Sequence, residues 1–190
     1  MDKKYKIVVL FGKSASGKDT ILKWILNNIE NTSGIVSYTT RPPRDYEIEG
    51  KDYYFISNDK FTEKVLNKEM LEVSCFNDYF YGAGIDTLKE DKINVGIFNA
   101  EGINCLVQDN RIKILPIYIY ASDKTRLIRS LSREKNPDCA KICKRYFIDE
   151  EEFKEEKYDF NYKILNNEIK FDAAALTDII RDFCDSGRMG

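Results

Sequence analysis

Residues 5–29 read YKIVVLFGKSASGKDTILKWILNNI, and the order of residue types in this stretch decides the fold. Tyr5 to Phe11 is a β-rich apolar run that stops at Gly12. From Asp19 to Ile29 the apolar residues Ile21, Leu22, Ile25 and Ile29 recur at helical spacing. Between strand and helix, Gly12-Lys13-Ser14-Ala15-Ser16-Gly17-Lys18 satisfies G-x-x-x-x-G-K in the setting that the motif requires. The glycines let the backbone curl so that consecutive N–H groups face one anion, the helix N-terminus adds its positive dipole end, and Lys18 supplies a point charge. The implied ligand is a polyphosphate. A plain glycine turn with a solvated Lys18 is the competing reading, and the two glycines, the lysine and the setting weigh against it. The next residue is Asp19, where a serine or threonine hydroxyl ordinarily holds magnesium. A carboxylate is a hard oxygen ligand that can hold the ion directly or through water, while a loop that binds no metal is the alternative.

Outward from this stretch, apolar strand-like runs follow at Val95 to Phe98 and Ile112 to Tyr120, each with a helical pattern after it, then a short one at Tyr162 to Leu165. Such alternation predicts a mostly parallel sheet covered on both faces. Between Ile35 and Asp91 the rhythm changes to short aromatic strands, YYFIS and LEVSCF, with turn signals at Arg41-Pro42-Pro43 and Glu49-Gly50. This predicts an inserted lobe. The stretch Ser132 to Glu156 is dense in charge, with Arg133, Lys141, Lys144 and Arg145 and then the run Asp149 to Glu152, and reads as a solvated helical face or a lid.

The bulk properties bound the function. At 190 residues, with 43% hydrophobic and 33% charged residues, the chain is expected to form a single globular domain. A net charge of −2 draws the whole molecule neither to nucleic acid nor to an anionic membrane, so any anion site is local. The N-terminal apolar run is too short for a signal core or a membrane span, and five cysteines without framework spacing fit reduced thiols. The expectation is a cytoplasmic protein, monomeric or homodimeric. Cys139 and Cys143, four apart on a helix, cannot complete a zinc site in a chain without histidine.

Behind the loop come Ser37-Tyr38-Thr39-Thr40-Arg41-Pro42-Pro43-Arg44, then Glu49-Gly50-Lys51-Asp52-Tyr53-Tyr54-Phe55, then Leu71-Glu72 and Tyr81-Gly82. With these blocks the chain, from about Lys4 to Phe183, resembles the guanylate kinases. The resemblance implies a three-layer α/β P-loop kinase fold: a core over 1–34 and 92–190, an acceptor (NMP-binding) lobe over about 35–91 and a helical lid over about 133–156. It implies ATP-dependent phosphoryl transfer to GMP or dGMP with Mg2+, closure of the halves on the substrates, and exclusion of water during transfer. Gly12, Ser14, Ala15, Ser16, Gly17, Lys18, Asp19 and Thr20 match the triphosphate loop, and Asn166 a segment beside the donor adenine. Ser37, Arg41, Arg44, Tyr53 and Tyr81 match the residues that hold the acceptor phosphate, for which the arginine fork and the tyrosine hydroxyl are suited. Glu72 matches the glutamate that accepts hydrogen bonds from the guanine ring N–H and amine. Lys18, Arg129, Arg133 and Arg145 match the catalytic cations, which neutralise charge in a reaction that needs positioning more than covalent chemistry.

Three residues depart from the family pattern. Ala83 stands where a hydroxyl helps to read guanine, and Ile97 and Asn99 stand where the family has an acidic pair, so that Asn99 offers an amide to the acceptor and Asp19 is left as the candidate magnesium ligand. Gly-Lys-Asp in the loop, Tyr81-Gly82-Ala83-Gly84 and Asn99 also look like the ribose 1,5-bisphosphate phosphokinases, whose acceptor is a sugar phosphate. A catalytically inactive phospho-ligand binding module is a third reading. Glu72 and the Ser37–Arg44 and Glu49–Phe55 blocks favour the nucleotide acceptor, and the intact loop and lid arginines favour turnover.

Overall fold

The computed structural model describes residues 4–44, 47–76, 78–133, 135–154, 162–167 and 171–185, so the expected end of the lid at 155 and 156 lies outside the described residues. The chain divides into two compact units, Met1–Ile7 with Asn31–Ile114, and Val8–Glu30 with Leu115–Gly190.

In the first unit, strand β2 (Thr32–Gly34) pairs in parallel with β7 (Ile93–Ile97), Thr32 opposite Ile93, and β7 is followed by the start of β1 (Tyr5–Phe11). The remaining strands form a separate four-stranded sheet in the order β4-β3-β6-β5, from β3 (Tyr38–Thr39), β4 (Tyr54–Phe55), β5 (Met70–Phe76) and β6 (Tyr79–Gly84). All four lie within the predicted lobe. β5 and β6 are antiparallel, with Glu72 opposite Ala83 and Ser74 opposite Tyr81, and a bulge between Met70 and Glu72. Helix α2 (Asn58–Leu66), capped by the Ser57 side chain, buries Phe61, and α3 (Ala100–Gln108) packs against β5.

In the second unit, the rest of β1 adjoins β8 (Ile112–Tyr120), which pairs in parallel with β9 (Lys163–Leu165). Val8, Val9 and Leu10 are wholly buried, which is why β1 reads as an unbroken apolar run rather than an alternating one. Helix α1 (Lys18–Asn28) buries Ile21 and Ile25, and it stops one residue short of the predicted end because Ile29 turns extended. Helices α4 (Asp123–Ser132), α5 (Cys139–Glu152) and α6 (Ala173–Asp185) complete the unit. The caps of α4 and α5 are Ser122 and Asp138, whose side chains accept the Thr125 and Lys141 amides. Among the described residues no helix is long and apolar enough to cross a membrane.

The charge-dense segment departs from the expected solvated face. Helix α5 does fall inside the predicted lid, but Asp149 at the head of the acidic run is fully buried. A carboxylate leaves water only where donors replace it, and those donors belong to the glycine loop and to α4.

Candidate active site

The loop after β1 reaches α1 through Gly17 at φ +93, a left-handed conformation in which a side chain would be driven into the Asn166 amide. The first helical hydrogen bond runs from Ile21 N–H to the Gly17 carbonyl, so the N–H groups at the head of the helix have no partner within it. Lys18 folds back, its ammonium donating to the Gly12 carbonyl at 2.7 Å and to the Lys13 carbonyl at 3.0 Å. Burial pulls its pKa down to about 8, against the opposing pull of Asp19 and Asp149, while Arg145 and Arg133 lower it further. This loop holds a cation that a phosphate would restore to full charge.

Of the predicted lid arginines, Arg145 donates from Nε to Ser14 Oγ at 3.0 Å. Arg129 reaches the Ala15 and Ser16 carbonyls, each at 3.4 Å, and the Asn167 carbonyl at 3.2 Å, so it braces the loop from behind. Arg133 is exposed at the end of α4. Asn166 is buried, with its amide nitrogen donating to the Ser16 carbonyl at 3.0 Å. Asp19 and Thr20 are exposed in the first turn of α1. Among the described residues, three buried side-chain polar atoms have no hydrogen-bond partner, Ser16 Oγ, Asn166 Oδ1 and Asp149 Oδ1, and all three sit on or against this loop.

The first unit brings together the residues expected on the acceptor side. The Arg41 guanidinium lies 5.2 Å from the Tyr53 ring centre and 5.7 Å from that of Phe55, and the Tyr53 and Tyr81 rings are 6.0 Å apart. The antiparallel pairing of Thr39 with Tyr81 places these groups together. Arg41 also forks onto Glu47, with both nitrogen–oxygen distances 2.7 Å, and this fork holds the Glu47 carboxyl down to about 2. Arg44 donates its amide to Glu47 at 2.8 Å and keeps its exposed guanidinium 3.9 Å from the same carboxylate. Ser37 leads into β3, its carbonyl accepting the Tyr54 amide at 2.9 Å.

Glu72 lies across the same sheet. Its Oε1 accepts the Ala83 amide at 2.9 Å, and burial raises its pKa to about 7, with that hydrogen bond pulling the other way. A Cβ on Gly102 would stand 3.4 Å from Glu72 Oε2 and 3.2 Å from Asn99 Oδ1, so glycine at the head of α3 keeps these two side chains close. Asn99 caps α3, accepting the Gly102 amide at 2.8 Å. The sequence reading missed Glu47, Arg126, Asp149 and Gly102. Asp149 and Arg126 carried a signal, Asp149 lying four residues from Arg145 on one helix and Arg126 three residues from Asp123 on another.

The guanylate kinase family model matches residues 4–183. The chain belongs to the guanylate kinase family. A guanylate kinase of Wolbachia pipientis wMel is 31% identical over 180 residues, covering 92% of this chain and 88% of its own length. Another guanylate kinase, from Malacoplasma penetrans, is 30% identical over 188 residues, covering 94% of each chain. The crystal structure of the guanylate kinase from Anaplasma phagocytophilum superposes with a TM-score of 0.65 at 25% identity, over 100% of this chain and 89% of that one. The mixed α/β fold with its parallel strands is that of this family.

Proposed function

We propose that this chain transfers the γ-phosphoryl group of ATP to GMP or dGMP, yielding ADP and the nucleoside diphosphate. The observation that carries the reading is Glu72, a carboxylate withdrawn from water with one oxygen on the Ala83 amide. A half-buried carboxylate of this kind is costly unless a ligand brings donors, and the guanine edge offers a ring N–H and an amine side by side where adenine offers no such pair. Family membership agrees.

Phosphoryl transfer needs two anionic ligands, each held by cations. On the donor side the loop amides, Lys18 and Arg145 receive the triphosphate, Arg129 and Asn166 hold the loop, and Arg133 adds charge from the end of α4. On the acceptor side Arg41, Arg44, Tyr53, Tyr81 and Ser37 receive the monophosphate, while Glu72 and Asn99 meet the base. Magnesium, when bound, neutralises phosphate charge. The residue that would hold the ion is Asp19, an exposed carboxylate in the first turn of α1, with phosphate oxygens and water filling the remaining positions.

The test is an ADP-release assay with magnesium ATP and GMP, dGMP, AMP, UMP or ribose 1,5-bisphosphate as acceptor. Turnover with GMP and dGMP well above AMP and UMP is expected. Preference for the sugar bisphosphate, or ATP binding without turnover on any acceptor, overturns the assignment.

A further inference from the structure

Every polar atom of Ser14 is held from the α4 and α5 side. Asp149 Oδ2 accepts the Ser14 amide at 2.6 Å, the Arg126 Nε donates to the Ser14 carbonyl at 3.1 Å, and Arg145 Nε donates to the Ser14 hydroxyl at 3.0 Å. Arg126 is itself buried beneath the Tyr146 ring, 5.0 Å from its centre, and donates to Asp149 at 3.2 Å, Glu150 at 2.9 Å and Asp123 at 3.1 Å. Lys13 reaches Glu150 at 2.6 Å. The centre of this arrangement is Asp149, fully buried, with its second oxygen 2.9 Å from Arg145 Nε yet without a hydrogen bond, because that N–H is aimed at Ser14.

A solvated surface acid would make none of these contacts, and a purely packing role would not put a carboxylate on an amide of an anion-binding loop. Its charge opposes the triphosphate, yet its two oxygens set where the Ser14 amide and the Arg145 guanidinium point. Such a group costs ground-state affinity and gains in orientation. We propose that Asp149 is a positioning residue for phosphoryl transfer, acting through Ser14 and Arg145. This inference rests on the reaction proposed above and adds a residue to it.

Asp149→Asn separates the two effects, since the carboxamide oxygen still accepts the Ser14 amide while the charge is gone. Magnesium ATP affinity is measured by calorimetry without acceptor, and turnover with GMP in the ADP-release assay. The expected result is a pair of opposite changes: ATP dissociation constant lowered at least threefold and kcat lowered at least tenfold, with the KM for GMP within twofold of the wild type. Unchanged or weaker ATP binding overturns the proposal, as does kcat within twofold. A wild type that binds ATP but phosphorylates no acceptor sinks the assigned reaction, and the positioning role falls with it; a wild type that does turn over GMP beside an Asn variant unchanged in kcat or in ATP affinity sinks the role of Asp149 alone. Should the Asn variant melt below the assay temperature, Asp149→Ala with Arg126→Met removes both buried charges together and is read by the same two measurements.

Discussion

In the ligand-free protein Glu72 carries a charge that its surroundings disfavour. Burial raises its pKa to about 7 from the ordinary 4.5, and the Ala83 amide offsets only part of the cost. At about 1.4 kcal/mol for each pKa unit, that gap corresponds to about 3 kcal/mol of folding free energy lost when the group ionises. The sign follows from linkage: a carboxyl whose folded pKa is raised keeps its full contribution below pH 4.5 and loses it as the pH climbs through 7. Glutamine keeps an oxygen for the Ala83 N–H and never ionises. Glu72→Gln is therefore expected to stabilise the nucleotide-free protein by about 3 kcal/mol at pH 8, and by under about 0.5 kcal/mol at pH 4.5. Urea denaturation at the two pH values measures both quantities. The same variant turns an N–H2 toward the donors of guanine, so its KM for GMP is expected to rise at least tenfold. Equal or lower stability at pH 8, or the same offset at both pH values, would refute the reasoning, because the charge would then not be what the surroundings of Glu72 oppose.

The Lys18 ammonium is expected to make ATP affinity fall as the pH rises past about 8, with proton uptake on binding in that window, measured calorimetrically in buffers of different ionisation enthalpy. Because its folded pKa is depressed, the nucleotide-free fold gains stability over the same window, so weaker binding there without loss of folding is the signature. Lys18→Ala is expected to lower kcat, a loss of charge neutralisation in the transition state, whereas Arg41→Ala raises the KM for GMP. The second variant also leaves Glu47 without its fork and is expected to lower the urea midpoint, which Arg41→Ala combined with Glu47→Gln restores in part. Gly17→Ala is expected to abolish ATP binding, since the left-handed turn and the Asn166 amide leave no room for a methyl group; wild-type affinity in that variant would contradict the loop geometry.

What could be read in advance divides along physical lines. Strand β1, the loop and α1 were legible because apolar periodicity and glycine punctuation are local, and β8 was recovered over its whole length for the same reason. The expected acceptor cluster was legible only through its resemblance to a family, since nothing in the spacing of Arg41, Tyr53, Glu72 and Tyr81 announces that β5 and β6 put Glu72 and Tyr81 on one small sheet or that Arg41 and Tyr53 flank its strands β3 and β4. Asn99 illustrates the other limit: its amide was assigned to the acceptor, and the structure shows that its oxygen also caps α3, a duty set by where the helix begins.

Two of the residues that escaped notice share one trait. Glu47 and Asp149 are carboxylates that sit on cations or amides suited to phosphate, Glu47 in the fork of Arg41 and Asp149 on the Ser14 amide beside Arg145. Composition reports both as ordinary acids in charge-rich stretches, because burial is a property of the fold and not of the residue. A chain that gathers several arginines and a lysine for anionic ligands must keep those cations apart and oriented before a ligand arrives, and internal carboxylates do this at the cost of competing with the ligand. Where the competing acid is withdrawn from water and also fixes the loop backbone, as at Asp149, its removal changes orientation as well as charge. The two effects pull affinity and turnover in opposite directions, and that divergence distinguishes a positioning acid from a mere counter-ion.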